Sequence, residues 1–155
     1  MNKITWPLAV FALLGFLGCS RQEPAPQSAA SSSPPPPSDS FKPVATVKQV
    51  MLGITIPASN AVFAVAGEAP KDDAGWQAVE ASALAVAESG NLLLMKPRAV
   101  DDQEWKQYAL ALVDAGAKAA EAARAKDADR TSIAGDDLYN TCEQCHAKYM
   151  PKSQQ

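Results

Sequence analysis

The sequence predicts an all-α protein, an antiparallel four-helix bundle with up-down-up-down connections. Its residues are 47% hydrophobic but only 6% aromatic, and alanine dominates the apolar share. Alanine is the best helix former, and its small side chain lets helices approach closely. Past Phe41 apolar residues recur at spacings of three and four, the period of a helix that buries one face. The 155 residues suffice for one such domain.

The first predicted helix runs from Val44 to Ala66. Pro57 lies inside it, lacks an N–H and pushes against the carbonyl of Gly53, so it should kink or divide the helix. The residues predicted to face inward are Val44, Val47, Met51, Ile54, Ala58, Ala61 and Val65.

Three further helices follow. The second begins after Asp72-Asp73, which can cap it, and stops before Pro97. The third begins behind Asp101-Asp102, and basic residues lie towards its end, where the helix dipole favours them. The fourth runs from about Ser132 to Met150. Four aromatic residues at helical spacing are interpreted mainly as core: Trp76, Trp105, Tyr108 and Tyr139.

The first 18 residues are typical of an export signal. Lys3 supplies a positive start, and the apolar run from Trp6 to Leu17 is too short to span a bilayer comfortably. The run ends in Phe16-Leu17-Gly18-Cys19, which resembles the lipobox of bacterial lipoproteins. The resemblance implies that Cys19 is lipidated and becomes the first mature residue; the alternative is an ordinary secretory peptide.

Residues 19–40 form a predicted tether between the lipid anchor and a domain at residues 41–155. The segment has no apolar periodicity and contains the run Pro34 to Pro37, so it is predicted to be a disordered, partly extended spacer. The formal charge of −3 becomes −4 once Lys3 is removed. Such mild acidity argues against binding to nucleic acid.

The sequence from Cys142 to His146 is Cys-Glu-Gln-Cys-His, the Cys-x-x-Cys-His pattern that attaches c-type haem. On a helix Cys142 and Cys145 share a face, so both sulfurs can reach the vinyl groups along one porphyrin edge. His146 is the only histidine and can then place its imidazole under the iron. The fourth helix is therefore predicted to be a C-terminal haem-attachment helix.

Two other kinds of site were weighed for these residues. A structural zinc site needs four nitrogen or sulfur ligands, whereas this turn supplies three. A redox-active cysteine pair would start a helix that follows a strand, whereas these cysteines lie late in a C-terminal helix. Haem attachment is the favoured interpretation.

The position of the motif near the end of a four-helix domain resembles the class II c-type cytochromes, the cytochrome c′ superfamily. The resemblance covers about Val44 to Met150 and implies one covalent haem c with His146 as proximal iron ligand. In that family the distal position is vacant in gas-binding members, or filled by a methionine of the first helix in low-spin electron carriers. Met51 is the candidate distal ligand, the alternative being that it only fills the core, as most inward methionines do. Met95 is its main competitor, while Met150 follows His146 on the same helix and falls on the wrong side.

We therefore expect an electron carrier, not an enzyme, with redox proteins of the envelope as partners. It would be lipid-anchored on the periplasmic side, with Ser20 favouring the outer membrane. The alternative is a module that binds nitric oxide or carbon monoxide at five-coordinate iron. A peroxidase is a weaker possibility because no distal Arg/His pair is evident. The resemblance also leaves a homodimer open.

Overall fold

In the computed structural model, residues 41–101 and 103–150 can be described. Within these residues the chain is entirely helical, without strands, and four helices pack together, which confirms the all-α prediction. The predicted signal peptide, Cys19 and the tether up to residue 40 lie outside the described residues, as do residues 151–155. The described residues belong to one compact unit.

Helix α1 spans Val47–Ala66 and changes type along its length. It is α-helical over Val47–Val50, π-helical over Met51–Thr55, α-helical over Ile56–Phe63 and 3₁₀ over Ala64–Ala66. The remaining helices are α2, Asp73–Leu94; α3, Glu104–Arg124; and α4, Ala128–Tyr149.

Helix α1 begins three residues later than the predicted Val44, because a capping box fixes its start. The Gln49 N–H donates to Thr46 Oγ1 over 3.3 Å, and the Thr46 N–H donates to Gln49 Oε1 over 2.9 Å. Val44 precedes this box and is exposed. The inward position predicted for Val44 is therefore wrong.

The disturbance predicted at Pro57 takes the form of the π-helical turn just before it. The Ile56 N–H donates to the Met51 carbonyl, five residues back rather than four. The extra residue in this turn shifts the inward face of the next turns by one position. Thr55 and Val62 are buried where Ile54 and Ala61 were predicted to be, and Ile54 lies at the surface.

Aspartate side chains fix the starts of the other helices. Asp72 accepts from the Gly75 N–H over 2.8 Å, and Asp101 accepts from the Trp105 N–H over 2.9 Å. Helix α2 ends at Leu94, before Pro97, as predicted. Helix α4 begins at Ala128 and not at the predicted Ser132, because Asp127 caps it by accepting from the Arg130 N–H over 2.9 Å.

Helices α2 and α3 approach each other so closely that glycine is required at the contact. A Cβ atom built on Gly116 would lie 2.6 Å from the backbone nitrogen of Ala87 and 2.9 Å from the carbonyl oxygen of Ala83. Both neighbours are backbone atoms, so no side-chain rotation can relieve the overlap. The alanine-rich composition and this glycine together account for the tight packing of the two helices.

We expect Gly116→Ala to lower the free energy of unfolding by roughly 1–3 kcal/mol through overpacking. The destabilisation by overpacking should exceed the gain in helix propensity, although alanine favours the helix over glycine by about 1 kcal/mol. The matched control is Gly53→Ala, because a Cβ on Gly53 would meet nothing within 4 Å. Urea unfolding of both variants tests the prediction, and equal stability of the two would contradict it.

Helix α1 is also long and apolar enough to cross a membrane, judged by length and composition alone. It nevertheless packs against α2 and α4.

The main core lies between the helices and includes Val50 of α1, Trp105 and Leu112 of α3, and Leu138 of α4. Met51 and Cys142 pack against this same core.

Candidate cofactor site

The four candidate haem ligands and attachment residues meet at one cavity, which we call the motif cavity. Met51 reaches it from α1, while Cys142, Cys145 and His146 reach it from α4. The cavity has a volume of about 30 Å³. Its other lining residues are Thr55, Leu93, Trp105, Tyr108, Leu112 and Thr141.

The two cysteines of the motif are half-buried free thiols on the last turns of α4. Burial raises the pKa of the Cys142 thiol; burial and then the charge of Cys142 raise the pKa of Cys145. Both thiols are therefore protonated at neutral pH. Catalytic redox cysteines have a lowered pKa instead, so this environment does not favour the redox-pair alternative.

His146 is half-buried and directly follows Cys145 in the sequence. Like the two cysteines, it lines the motif cavity. Its carbonyl accepts the N–H of Met150 over 3.0 Å, which closes the end of α4. Met150 itself is not among the residues lining the cavity. That Met150 is not the distal ligand stays a prediction.

Met51 occupies the first position of the π-helical turn. π-Helical turns inside α-helices often mark functional positions. Thr55, at the other end of the turn, lines the same cavity, and its hydroxyl donates to Ser89 Oγ of α2 over 2.9 Å. Ser89 in turn donates to the Val86 carbonyl over 2.7 Å, so a buried pair of hydroxyls ties the turn to α2.

Met95, the competing methionine, does not line the motif cavity. It follows the end of α2, and its sulfur lies 3.7 Å from Nη1 of the buried Arg98. Arg98 also donates to the carbonyls of Ala45 over 2.8 Å and Leu92 over 3.0 Å. The Met95 sulfur is thus engaged in the contacts that join the start of α1 to the end of α2.

Aromatic residues of α3 and α4 cluster beside the motif. The Tyr149 ring meets Trp105 edge to face at a centroid distance of 5.1 Å and Tyr108 at 6.0 Å. The Trp105 indole N–H donates to the Leu93 carbonyl over 2.8 Å. The core position predicted for Tyr139 is wrong, because Tyr139 lies on the exposed side of α4 and donates to Glu143.

Tyr149 is tied to the start of α3 by a hydrogen bond from its hydroxyl to Asp101 Oδ2, at 2.5 Å. Partial burial, together with this bond and the charge of Asp101, raises the pKa of Tyr149 to about 12. The same bond and the Trp105 N–H lower the pKa of Asp101 below its ordinary value of 3.8.

The Tyr149–Asp101 pair makes stability depend on pH at both extremes. Its contribution is present above the ordinary Asp101 pKa of 3.8 and is lost as pH falls through the lowered value. It is present below the ordinary tyrosine pKa of 10.0 and is lost as pH rises through about 12. We expect Tyr149→Phe to raise the Asp101 pKa towards 3.8 and to remove the alkaline loss.

NMR titration of the Asp101 carboxyl and denaturant unfolding at acid, neutral and alkaline pH test this expectation. The control is Tyr108→Phe, which removes a hydroxyl from the adjacent ring but leaves the Asp101 bond intact. An Asp101 pKa that moves equally in both variants would contradict the assignment.

Three participants of this region were missed in the sequence: Thr55, Tyr149 and Asp101. Pro57 indicates that the inward face of this helix could shift and bring Thr55 to the cavity. It does not indicate by how many positions the face shifts. Asp101 was predicted only to precede the third helix, whereas it accepts from the Trp105 N–H and from a tyrosine that is distant in sequence. That pairing depends on tertiary structure.

The donor set suits a covalent haem: two thiols, an imidazole and a thioether converge on largely apolar walls. The volume of about 30 Å³ corresponds to about one water, so the surrounding side chains must move apart to admit a porphyrin. Among the described residues, no three side chains of His, Cys, Asp or Glu converge in a way that could hold a metal ion.

No protein-family model matches the chain, and neither curated proteins nor solved structures give a match.

Proposed function

We propose that the chain is a lipid-anchored, mono-haem c-type cytochrome that carries single electrons in the bacterial envelope and is not itself an enzyme. The observation that supports this proposal most is the convergence of Met51 with Cys142, Cys145 and His146 on the motif cavity. The attachment motif lies on α4 and Met51 on α1, 91 positions before Cys142. Met51 also packs against the main core, as a methionine that only fills space would, so the spectrum of a Met51 variant distinguishes the two roles.

Each residue has a distinct role in this proposal. The Cys142 and Cys145 thiols would hold the haem covalently as thioethers, and the His146 imidazole and the Met51 thioether would hold its iron. When bound, haem c supplies an iron that gains or loses one electron, and a thioether ligand raises its reduction potential.

The surrounding side chains exclude water and fix the ligands. Leu93, Trp105 and Leu112 supply apolar walls, and burial of the haem tunes its potential. The Thr55–Ser89 hydrogen bond holds the turn that presents Met51. Met51 can adjust its three rotatable bonds when the cavity widens.

The proposal includes the up-down-up-down order, with α4 as the haem-attachment helix. Short connections support it, since α2 follows α1 after residues 67–72 and α4 follows α3 after residues 125–127. Such connections favour antiparallel neighbours. Export and lipidation at Cys19 would place the domain on the periplasmic side, where redox proteins are its partners.

Absorption spectra of the matured chain in both oxidation states, with and without carbon monoxide, test the proposal. A low-spin spectrum that carbon monoxide does not change is the expected result. A high-spin spectrum that shifts with carbon monoxide would assign the chain to gas binding instead. Absence of covalent haem would refute both functions.

A further inference from the structure

The outer face of α1 carries no charge after its first turn. We define this face as Leu52, Ile56, Asn60 and Ala64, which succeed one another at intervals of four and are all exposed. Leu52 is 60% exposed and Ile56 43%. An exposed helix face in a soluble bundle is normally polar or charged.

The outer surfaces of α3 and α4 follow that norm more closely, although they expose Leu110 and Ile133. Helix α3 exposes charged residues along its length, and so does α4: Lys106, Asp114, Lys118, Glu121, Asp136 and Asp137. What distinguishes α1 is the absence of charge along its outer face after the first turn, since single exposed apolar residues such as Leu84 occur on other helices as well.

Part of α1 has polar side chains on its inner side and apolar side chains on its outer side, the reverse of the usual arrangement. The hydroxyls of Thr55 and Ser59 are buried, and they donate to Ser89 Oγ and to the Thr55 carbonyl, each over 2.9 Å. Leu52 and Ile56 point outward instead. Because the inward hydroxyls are satisfied within the protein, this arrangement suits a helix with apolar surroundings on its outer side.

Charge distinguishes the same segment. Residues 41–67 contain Lys42 and Lys48 and no acidic residue, whereas acidic residues outnumber basic ones from Glu68 onward. Lys48 is exposed and stands four residues before Leu52. An anionic surface would attract this part of the domain and repel the remainder, which fixes an orientation.

We propose that the outer face of α1 lies in the headgroup region of an anionic lipid bilayer, with Leu52 and Ile56 inserted and Lys42 and Lys48 at the phosphates. The inference rests on the proposed lipid anchor at Cys19, since a tether of some 20 residues would hold this face near the bilayer at high effective concentration. In this proposal helix α1 lies along the surface of the bilayer and does not span the bilayer, because its opposite side packs against α2 and α4.

Vesicle flotation of the unlipidated, haem-loaded chain beginning at Ser20 tests the surface directly. The probe is vesicles of phosphatidylglycerol and phosphatidylcholine, compared with phosphatidylcholine alone. We expect binding to the anionic vesicles that weakens with salt. Leu52→Gln and Ile56→Gln should each reduce it about tenfold. The matched control is Ile133→Gln, because Ile133 of α4 is 63% exposed and should not touch lipid.

Absence of vesicle binding, or equal losses in the Leu52 and Ile133 variants, would overturn the proposal. Sedimentation of the protein without vesicles measures its oligomeric state. If the native protein were a dimer and Leu52→Gln dissociated it, the outer face of α1 would bind a second copy of the chain and not lipid. The protein tested carries no lipid, so these outcomes are separate from failure of the anchor, which the mass of the processed N-terminus reports. Its absorption spectrum reports haem loading independently.

Discussion

Replacing both Cys142 and Cys145 with alanine is expected to abolish covalent haem attachment completely. These are the only cysteines in the described part of the chain, and both line the motif cavity. Without their sulfurs no thioether can form, although His146 could still bind haem reversibly. Haem staining after denaturing electrophoresis and the mass of the denatured polypeptide measure the loss.

Variants with one cysteine replaced serve as controls for the double replacement. Cys142→Ala or Cys145→Ala should leave one thioether and a lower yield of mature protein. Cys19→Ala should keep the haem and change only the attachment to the membrane. Covalent haem in the double variant would refute the assigned attachment residues.

Replacing Met51 with leucine is expected to turn a low-spin spectrum into a high-spin one that responds to carbon monoxide. Leucine conserves most of the volume at this half-buried position but has no sulfur to offer the iron. Loss of the thioether should also lower the reduction potential, within the roughly 0.8 V range that axial ligands span. Visible spectroscopy and potentiometric titration measure both effects.

Met95→Leu is the matched control, because Met95 contacts Arg98 and does not line the motif cavity. Its spectrum and potential should match those of the native protein. If the Met95 variant became high-spin and the Met51 variant did not, the distal ligand would be Met95.

Most of the fold could be predicted because the sequence marks its helix ends locally. Asp72 and Pro97 bracket α2 as predicted, since capping and loss of a backbone donor act within a few residues. The start of α4 was misplaced because Asp127 stands in a run of acidic and basic residues that gives no clear cap. Ile54 and Ala61 of α1 were misplaced because an α-helical period cannot anticipate a π-helical turn, whereas Val65 is buried as predicted.

The candidate site divides in the same way. Cys142, Cys145 and His146 are identified by their spacing alone, and Met51 by the position that the family resemblance implies. Thr55 and the Tyr149–Asp101 pair join residues from different helices, and nothing local in the sequence indicates such partners. Their contribution depends on how the helices are packed.

The π-helical turn has a consequence for how this chain can change over evolution. A widened turn accommodates one additional residue locally, because an ordinary helix would otherwise rotate everything beyond an insertion by about 100°. The turn Met51–Thr55 thus holds one residue more than an α-helical turn would, and Val62 beyond it packs in the core. Deletion of one residue between Met51 and Thr55 should convert the turn to an ordinary α-helical one and leave the later residues in register, so it should be tolerated better than a deletion elsewhere in α1.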